Sequence, residues 1–230
     1  MNDANNIKVA PAPWSINGSK AYLFIHGSRP IQESFNENPD PIRSPFSGGM
    51  GGMLLVRYTD SPVGPYDELL FIPGYYQFRD ANYYRISQIY VSSIDSVVNG
   101  RRNWNVPKKL ARFCWTDNDT CVKIFLPESD EPFCTIRVRP RLYCIPVSSA
   151  LIPSSFRTLF QIPLEEQNDK NMYLKITPSC SGWFRPLVEL IEFHTNGKEI
   201  PSHEKLSMYT YGVGYEAFTL IFPIAEQVLY

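Results

Sequence analysis

The sequence predicts a mainly β protein, a closed or folded-over antiparallel sheet, and three observations predict it. Twenty prolines are about 9% of the 230 residues, nearly twice the usual ~5%. Each proline fixes φ and lacks an amide donor, so long uninterrupted helices fit poorly. Fourteen Tyr, fourteen Phe and four Trp suit a pleated, half-buried surface. Short apolar runs also recur between Pro, Gly and Asp punctuation, as in folded-over antiparallel sheets.

The elements follow in order. Residues 21–26 (AYLFIH) read as a strand, and 27–52, rich in proline and glycine, reads as a long loop. Met53–Tyr58 and Glu68–Ile72 are apolar runs parted by the turn cluster TDSPVGPYD, hence strand, turn, strand. Tyr84–Val91 suggests a third strand. Ser93–Trp104, with Ile94, Val97 and Val98 at helical spacing and an end toward Gly100, predicts a short helix. From Phe113 the text is β again: Cys121–Leu126, Thr135–Cys144, Met172–Ile176, Leu187–Phe193 and Ala217–Phe222. On periodicity alone Leu187–Phe193 (LVELIEF) also fits a helix.

Charge and composition exclude several function classes. Twenty-two Lys and Arg against 23 Asp and Glu give a net charge of -1, without the basic field that tracks phosphates; nucleic acid is not an expected partner. The opening MNDANNIKVAPAPW is polar, and no window of eighteen apolar residues follows, so neither secretion nor a membrane span is expected. Five cysteines, at 114, 121, 134, 144 and 180, form an odd set with no C-x-x-C pair. That fits free thiols and a cytoplasmic location. His26, His194 and His203 lack ligand spacing, which leaves metal catalysis unsupported and gives each a structural reading. Arg137, Arg139 and Arg141 share one strand face by their period of two. They fit either a carboxylate site or a solvated outer face.

The segment GRRNWNVPKKLARF, residues 100–113, stands apart. Lys108 and Lys109 lie among Trp104, Val106, Pro107, Leu110 and Phe113, so an amine is drawn toward apolar surroundings. An amine removed from water, or set beside a second ammonium, loses its proton more readily and becomes able to attack a carbonyl. Adjacent lysines by themselves are usually solvated.

GRRNWNVPKKLA resembles the signature of the acetoacetate decarboxylase family, and the upstream SPVGPYDELLFIPG resembles its tyrosine- and glutamate-bearing stretch, in the family's order. The resemblance implies a single domain over residues 1–230 with a barrel-like or cone-shaped antiparallel β core and few short helices. It also implies roles: Lys108 as the imine-forming lysine, Lys109 as the neighbour that perturbs its proton affinity, and Glu68 as the active-site glutamate. Tyr66 and Trp104 would wall the substrate pocket, against a plain core-packing alternative for each. Where family decarboxylases carry a carboxylate-binding arginine near the first strand, INGSKAYLFI offers Lys20. A family helix is replaced by the 27–52 loop, and an acidic position is apolar near Met53. The implied function is therefore a Schiff-base lyase of altered specificity, decarboxylating a β-keto acid or a larger polyketide-like carbonyl compound. No cofactor is implied, since the lysine supplies the electron sink, and the partner is the small molecule itself, with room for a homo-oligomer. A Schiff-base aldolase or dehydratase, or a non-catalytic barrel binding a hydrophobic carbonyl ligand, are the alternatives.

Overall fold

The computed structural model describes residues 7–27, 35, 42–167, 169, 171–202 and 210–229. The first strands are β1 (Trp14–His26), β2 (Phe46–Gly48), β3 (Gly51–Asp60), β4 (Tyr66–Ile72), β5 (Tyr75–Phe78), β6 (Ala81–Tyr84) and β7 (Gln88–Val91). Helix α1 (Ile94–Trp104) leads to β8 (Lys108–Leu110), β9 (Arg112–Thr116), β10 (Cys121–Phe125), β11 (Pro132–Arg141) and β12 (Ile145–Ser148). Two 3-10 turns, Ser149–Leu151 and Ser154–Phe156, precede β13 (Leu159–Gln161), β14 (Met172–Ile176), β15 (Ser179–Thr195), β16 (Tyr211–Phe222) and β17 (Glu226–Leu229). The protein is mainly β, as the sequence predicts.

Among the described residues, eleven strands form one sheet in the order β8-β7-β4-β3-β1-β16-β15-β11-β10-β9, with β12 also on β15. The two ends of that order are consecutive in the chain, separated only by Ala111, whose amide donates to the Val91 carbonyl. The sheet thus curls into a nearly closed barrel whose edges are joined by the backbone. A smaller sheet, β17-β14-β13-β6-β5-β2, lies beside it. In the large sheet every pairing is antiparallel except β7 with β8, where Ile89 registers with Lys108. A parallel pair needs a crossover of a dozen or more residues, and α1 supplies it.

Two cores result from the alternation of side chains along each strand. Tyr22, Phe24, Leu55, Leu69, Phe71 and Tyr90 face the barrel interior. Their neighbours Ala21, Val56, Leu70, Ile89 and Val91 face a second core with Trp14, Trp104 and, from the small sheet, Leu159 and Ile176. Strands covered on both faces read as continuous apolar runs, which is why MLLV and LLFI were legible as strands.

Three expectations are corrected. Tyr84–Val91 is not one strand: Tyr84 ends β6 in the small sheet and Gln88 opens β7 in the large one. The connecting Ser87 amide donates to the Phe71 carbonyl. The loop at 27–52 contains β2 and the start of β3; its residues 28–34 and 36–41 lie outside the described residues, as does His203. LVELIEF is strand: between Val138↔Leu190 and Arg137↔Glu192 the register skips Ile191. That bulge gives Val188, Leu190 and Phe193, all in the barrel core, a spacing that imitates a helix.

All five thiols are free. No described helix is long and apolar enough to cross a membrane. Arg137 pairs with Asp117 and Glu192, and Arg139 and Arg141 pair with Glu189, so this row faces protein carboxylates.

His26 is fully buried, stacked on Phe71 with ring centroids 4.8 Å apart. A side-chain Cβ at Gly51 would meet the His26 ring at 2.3 Å and the Ile72 carbonyl oxygen at 2.2 Å, so only glycine admits this imidazole. Burial lowers the His26 pKa to about 4, opposed by its hydrogen bond to the Ile72 backbone. The unfolded chain binds this proton from about pH 6.5, so the stability due to neutral His26 is complete above that pH and is lost as pH falls toward 4. The expected loss is about 3 kcal/mol. Chemical denaturation of the wild type and of His26→Gln across pH 4 to 7 should show the steeper acid loss in the wild type; parallel profiles would refute it.

Candidate active site

The crossover that makes β8 parallel to β7 also builds the site. Ser93 caps α1, its hydroxyl accepting from the Ser96 amide, and Asn105 ends it in the left-handed region at φ 54. Ser96 and Gly100 are four residues apart and share a helix face. That face meets the Lys108 side chain. A Cβ on Gly100 would lie 2.6 Å from Lys108 Cδ and 2.8 Å from Cε, so the helix can approach the lysine stem only because this position is glycine. Arg101 Nη1 donates to the Lys108 carbonyl at 3.1 Å while its Nε holds Glu166 at 2.6 Å.

Lys108 Nζ donates to Glu68 Oε2 at 3.0 Å and to Ser96 Oγ at 2.9 Å. Both partners of the ion pair are buried, with side-chain exposures of 7% and 6%. Glu68 Oε1 accepts from the Tyr58 hydroxyl at 3.3 Å, and the Lys108 ammonium stands 5.0 Å from the Tyr66 ring centroid. Tyr58 and Tyr66 face each other across β3 and β4 with rings 4.7 Å apart. Burial first, and the charge of Glu68 second, push both phenols well above their ordinary pKa. They therefore stay protonated, and Tyr58 is the donor to Glu68.

Tyr58, Tyr66, Glu68 and Lys108 line a cavity of about 470 Å³ between the large sheet, α1 and the small sheet. Its walls are mostly apolar, with Val56, Leu70, Ile89, Val106 and Phe218 among them. Trp104 forms part of the wall and is fixed there by an edge contact to Trp14 at 5.1 Å and an indole hydrogen bond to the Pro223 carbonyl at 2.7 Å. Among the described residues no group of three or more His, Cys, Asp or Glu is gathered to hold a metal ion.

Of the residues singled out in the sequence, Lys108, Glu68, Tyr66 and Trp104 all line this cavity. Lys109 and Lys20 do not. Successive residues of a strand point to opposite faces, so Lys109 is exposed on the other side of β8, its ammonium 6.0 Å from the Tyr90 ring. The group beside the Lys108 amine is a carboxylate, not a second ammonium. Lys20 lies on the barrel face of β1, its Nζ 3.0 Å from the Asn118 carbonyl oxygen and 3.8 Å from the Asp119 carboxylate. A turn of the protein occupies the amine expected for substrate. Sequence reasoning missed Tyr58, Ser96 and Arg157, which reach the site from β3, from α1 and from the turn before β13; only the spacing of Ser96 to Gly100 within the helix was a usable signal.

Two outcomes are expected. Gly100→Ala should open the Lys108 to Glu68 distance beyond hydrogen-bond reach in a crystal structure of the variant, with Tm within about 4 °C of wild type because alanine favours the helix. Lys109→Ala should leave the rate at which carbonyl reagents label Lys108 within about twofold, as a solvent-screened charge on the opposite strand face would. A larger fall in labelling would restore Lys109 to the site.

The model of the family described as acetoacetate decarboxylase matches residues 39–205. Protein NEOXANTHIN-DEFICIENT 1 of Oryza sativa subsp. japonica is 28% identical over 107 residues, 46% of this chain and 35% of that protein. Its namesake in Arabidopsis thaliana is 28% identical over 104 residues, 45% and 37% of the two chains. The matched stretch thus spans little more than a third of the length of these plant relatives. Acetoacetate decarboxylase of Legionella pneumophila superposes with a TM-score of 0.69 at 13% identity, covering 96% of this chain and 89% of the other. The enduracididine biosynthesis enzyme MppR, solved in complex with pyruvate, gives 0.62 at 12% identity, with coverages of 96% and 91%. At such identities the structural likeness is one of fold.

Proposed function

Because the chain belongs to the acetoacetate decarboxylase family, we propose that it is a Schiff-base-forming lyase that decarboxylates a β-keto acid larger than acetoacetate through an imine on Lys108. The observation that carries this is the Lys108 amine, 3.0 Å from the Glu68 carboxylate, buried at the wall of a large apolar cavity.

The geometry supports the following sequence of steps. Glu68 Oε2 takes a proton from the Lys108 ammonium, and the free amine adds to the substrate ketone carbon. Glu68 returns the proton to the resulting hydroxyl, which leaves as water and gives the iminium. The bond from the α-carbon to the carboxylate then breaks, its electron pair forms the enamine double bond, and CO2 departs. The enamine carbon takes a proton and water hydrolyses the imine, freeing Lys108. Tyr58 holds the second Glu68 oxygen and Ser96 orients the amine, so neither reacting group has to be repositioned. A cavity of about 470 Å³ is in the ~300–1,000 Å³ range that accepts drug-sized ligands; a four-carbon keto acid would leave most of it empty. An aldolase or dehydratase would use the same enamine, and product analysis separates them.

A non-catalytic barrel that binds a hydrophobic carbonyl compound is the second reading. What favours it is that Glu68 and Ser96 already satisfy the Lys108 amine within mostly apolar walls.

Borohydride trapping with a panel of β-keto acids and diketones, read by peptide mass spectrometry, should place the adduct on Lys108. Lys108→Met should abolish both the adduct and turnover. Glu68→Gln should lower kcat by about 10²–10⁴ with little change in KM, the size expected of general acid–base catalysis. Leaving one partner of a buried pair alone costs about 3–5 kcal/mol, so the double variant Lys108→Met, Glu68→Gln is the folded control. An adduct on another lysine, or none with any substrate, would give the binding reading the field.

A further inference from the structure

Arg157 lines the same cavity as Lys108 and Glu68. It follows the 3-10 turn Ser154–Phe156 and precedes β13, and one of its terminal nitrogens donates to the Pro178 carbonyl. Its Nε is buried and has no hydrogen-bond partner, and no carboxylate pairs with it among the described residues. Other arginines of the molecule do pair: Arg57 with Asp119, Arg101 with Glu166, Arg137 with Asp117, Arg141 with Glu189 and Arg185 with Glu216. A guanidinium left with an unused buried donor in apolar surroundings is costly. An anion entering the cavity would relieve that cost, and a guanidinium suits a carboxylate by its fork of donors.

Its position matters as much as its charge. Pro178 leads directly into β15, whereas Lys108 comes from β8, so the two side chains reach the cavity from different strands of its wall. Leu54, Val56, Leu70, Phe218 and Leu220 line the space they share, and these side chains offer nothing polar to a ligand.

We propose that Arg157 is an anion anchor in the cavity wall beside the start of β15, and that the ligand carries a ketone for Lys108, an apolar stretch for the walls and a separate carboxylate for Arg157. The anchored carboxylate is then a second one, distinct from the carboxylate that would leave as CO2. The ketone half of this assignment rests on the Schiff-base reading; the anchor does not.

The test uses methyl-keto carboxylic acids of increasing chain length, with their methyl esters as neutral controls, in borohydride trapping. Trapping should improve from acetoacetate to a medium-chain acid, and at that length the acid should be preferred over its ester by about tenfold or more, the worth of a charge-assisted hydrogen bond. Arg157→Met should bring the acid down to the level of the ester and leave the ester unchanged, while Arg157→Lys should keep part of the preference. Acetoacetate as the best substrate of the series, or equal loss for acid and ester, would overturn the proposal. If the wild type traps no ketone, the Schiff-base reading fails and the anchor is judged alone, by quenching of the Trp14 and Trp104 fluorescence with decanoate and methyl decanoate. Tighter binding of decanoate that disappears in Arg157→Met supports the anchor, and equal binding of the two, or a preference unchanged in the variant, overturns it.

Discussion

A β-strand offers its side chains to two sides in turn, and in this protein both sides of β1, β3, β4 and β7 are buried. The barrel interior takes one set, Phe24, Leu55, Leu69 and Tyr90 among them, and the space beneath α1 and the small sheet takes the other. Everything distinctive about the molecule follows from that two-sided burial. The inner face packs its side chains against one another as one apolar cluster. The outer face has to be covered by elements of different shape, a helix and a smaller sheet, and the imperfect fit between them is the cavity.

Placing a charge on the covered outer face requires a partner, since an isolated buried ammonium or carboxylate costs far more than a paired one. Lys108 and Glu68 answer that requirement mutually, from β8 and β4, with Ser96 and Tyr58 taking up further hydrogen-bonding capacity. The pair adds little net stability by comparison with well-packed apolar side chains. Its presence in a mostly apolar wall is the physical argument for chemistry there: a proton can pass between the two groups without water. α1 is fitted to this pair. Gly100 lets the lysine stem run against the helix, Arg101 holds the lysine's carbonyl, and Asn105 in the left-handed region turns the chain back into the sheet.

Membership of the acetoacetate decarboxylase family and a fold shared across nearly the whole chain do not by themselves fix the substrate. On the Schiff-base proposal, the pocket's own chemistry narrows it. The barrel-facing position of Lys20 removes the cation that the N-terminal strand seemed to offer, and the cation that does face the cavity, Arg157, comes from a turn far away in sequence. A cation supplied by a different turn changes which ligands fit while leaving the amine and carboxylate in place. On the Schiff-base proposal, specificity thus diverges while the reacting pair is kept.

The sequence by itself determined the β class, because proline content and aromatic runs are local properties. It determined the motif-bearing segments, since residues 61–74 and 100–111 carry their own turn and helix signals, and it identified Lys108 and Glu68 through resemblance. Tertiary structure alone decided which residues share a space. Lys109 adjoins Lys108 in the chain yet is turned away by the two-residue period of a strand. Glu68 and Lys108, forty residues apart, are brought to 3.0 Å because β4 and β8 both flank β7. LVELIEF looked helical because a bulge at Ile191 broke its alternation, and a bulge is set by the partner strand. Arg157 carried no local signal at all. Its one neighbour of consequence, the Pro178 carbonyl, and the cavity it faces exist only once two sheets and a helix have closed around them.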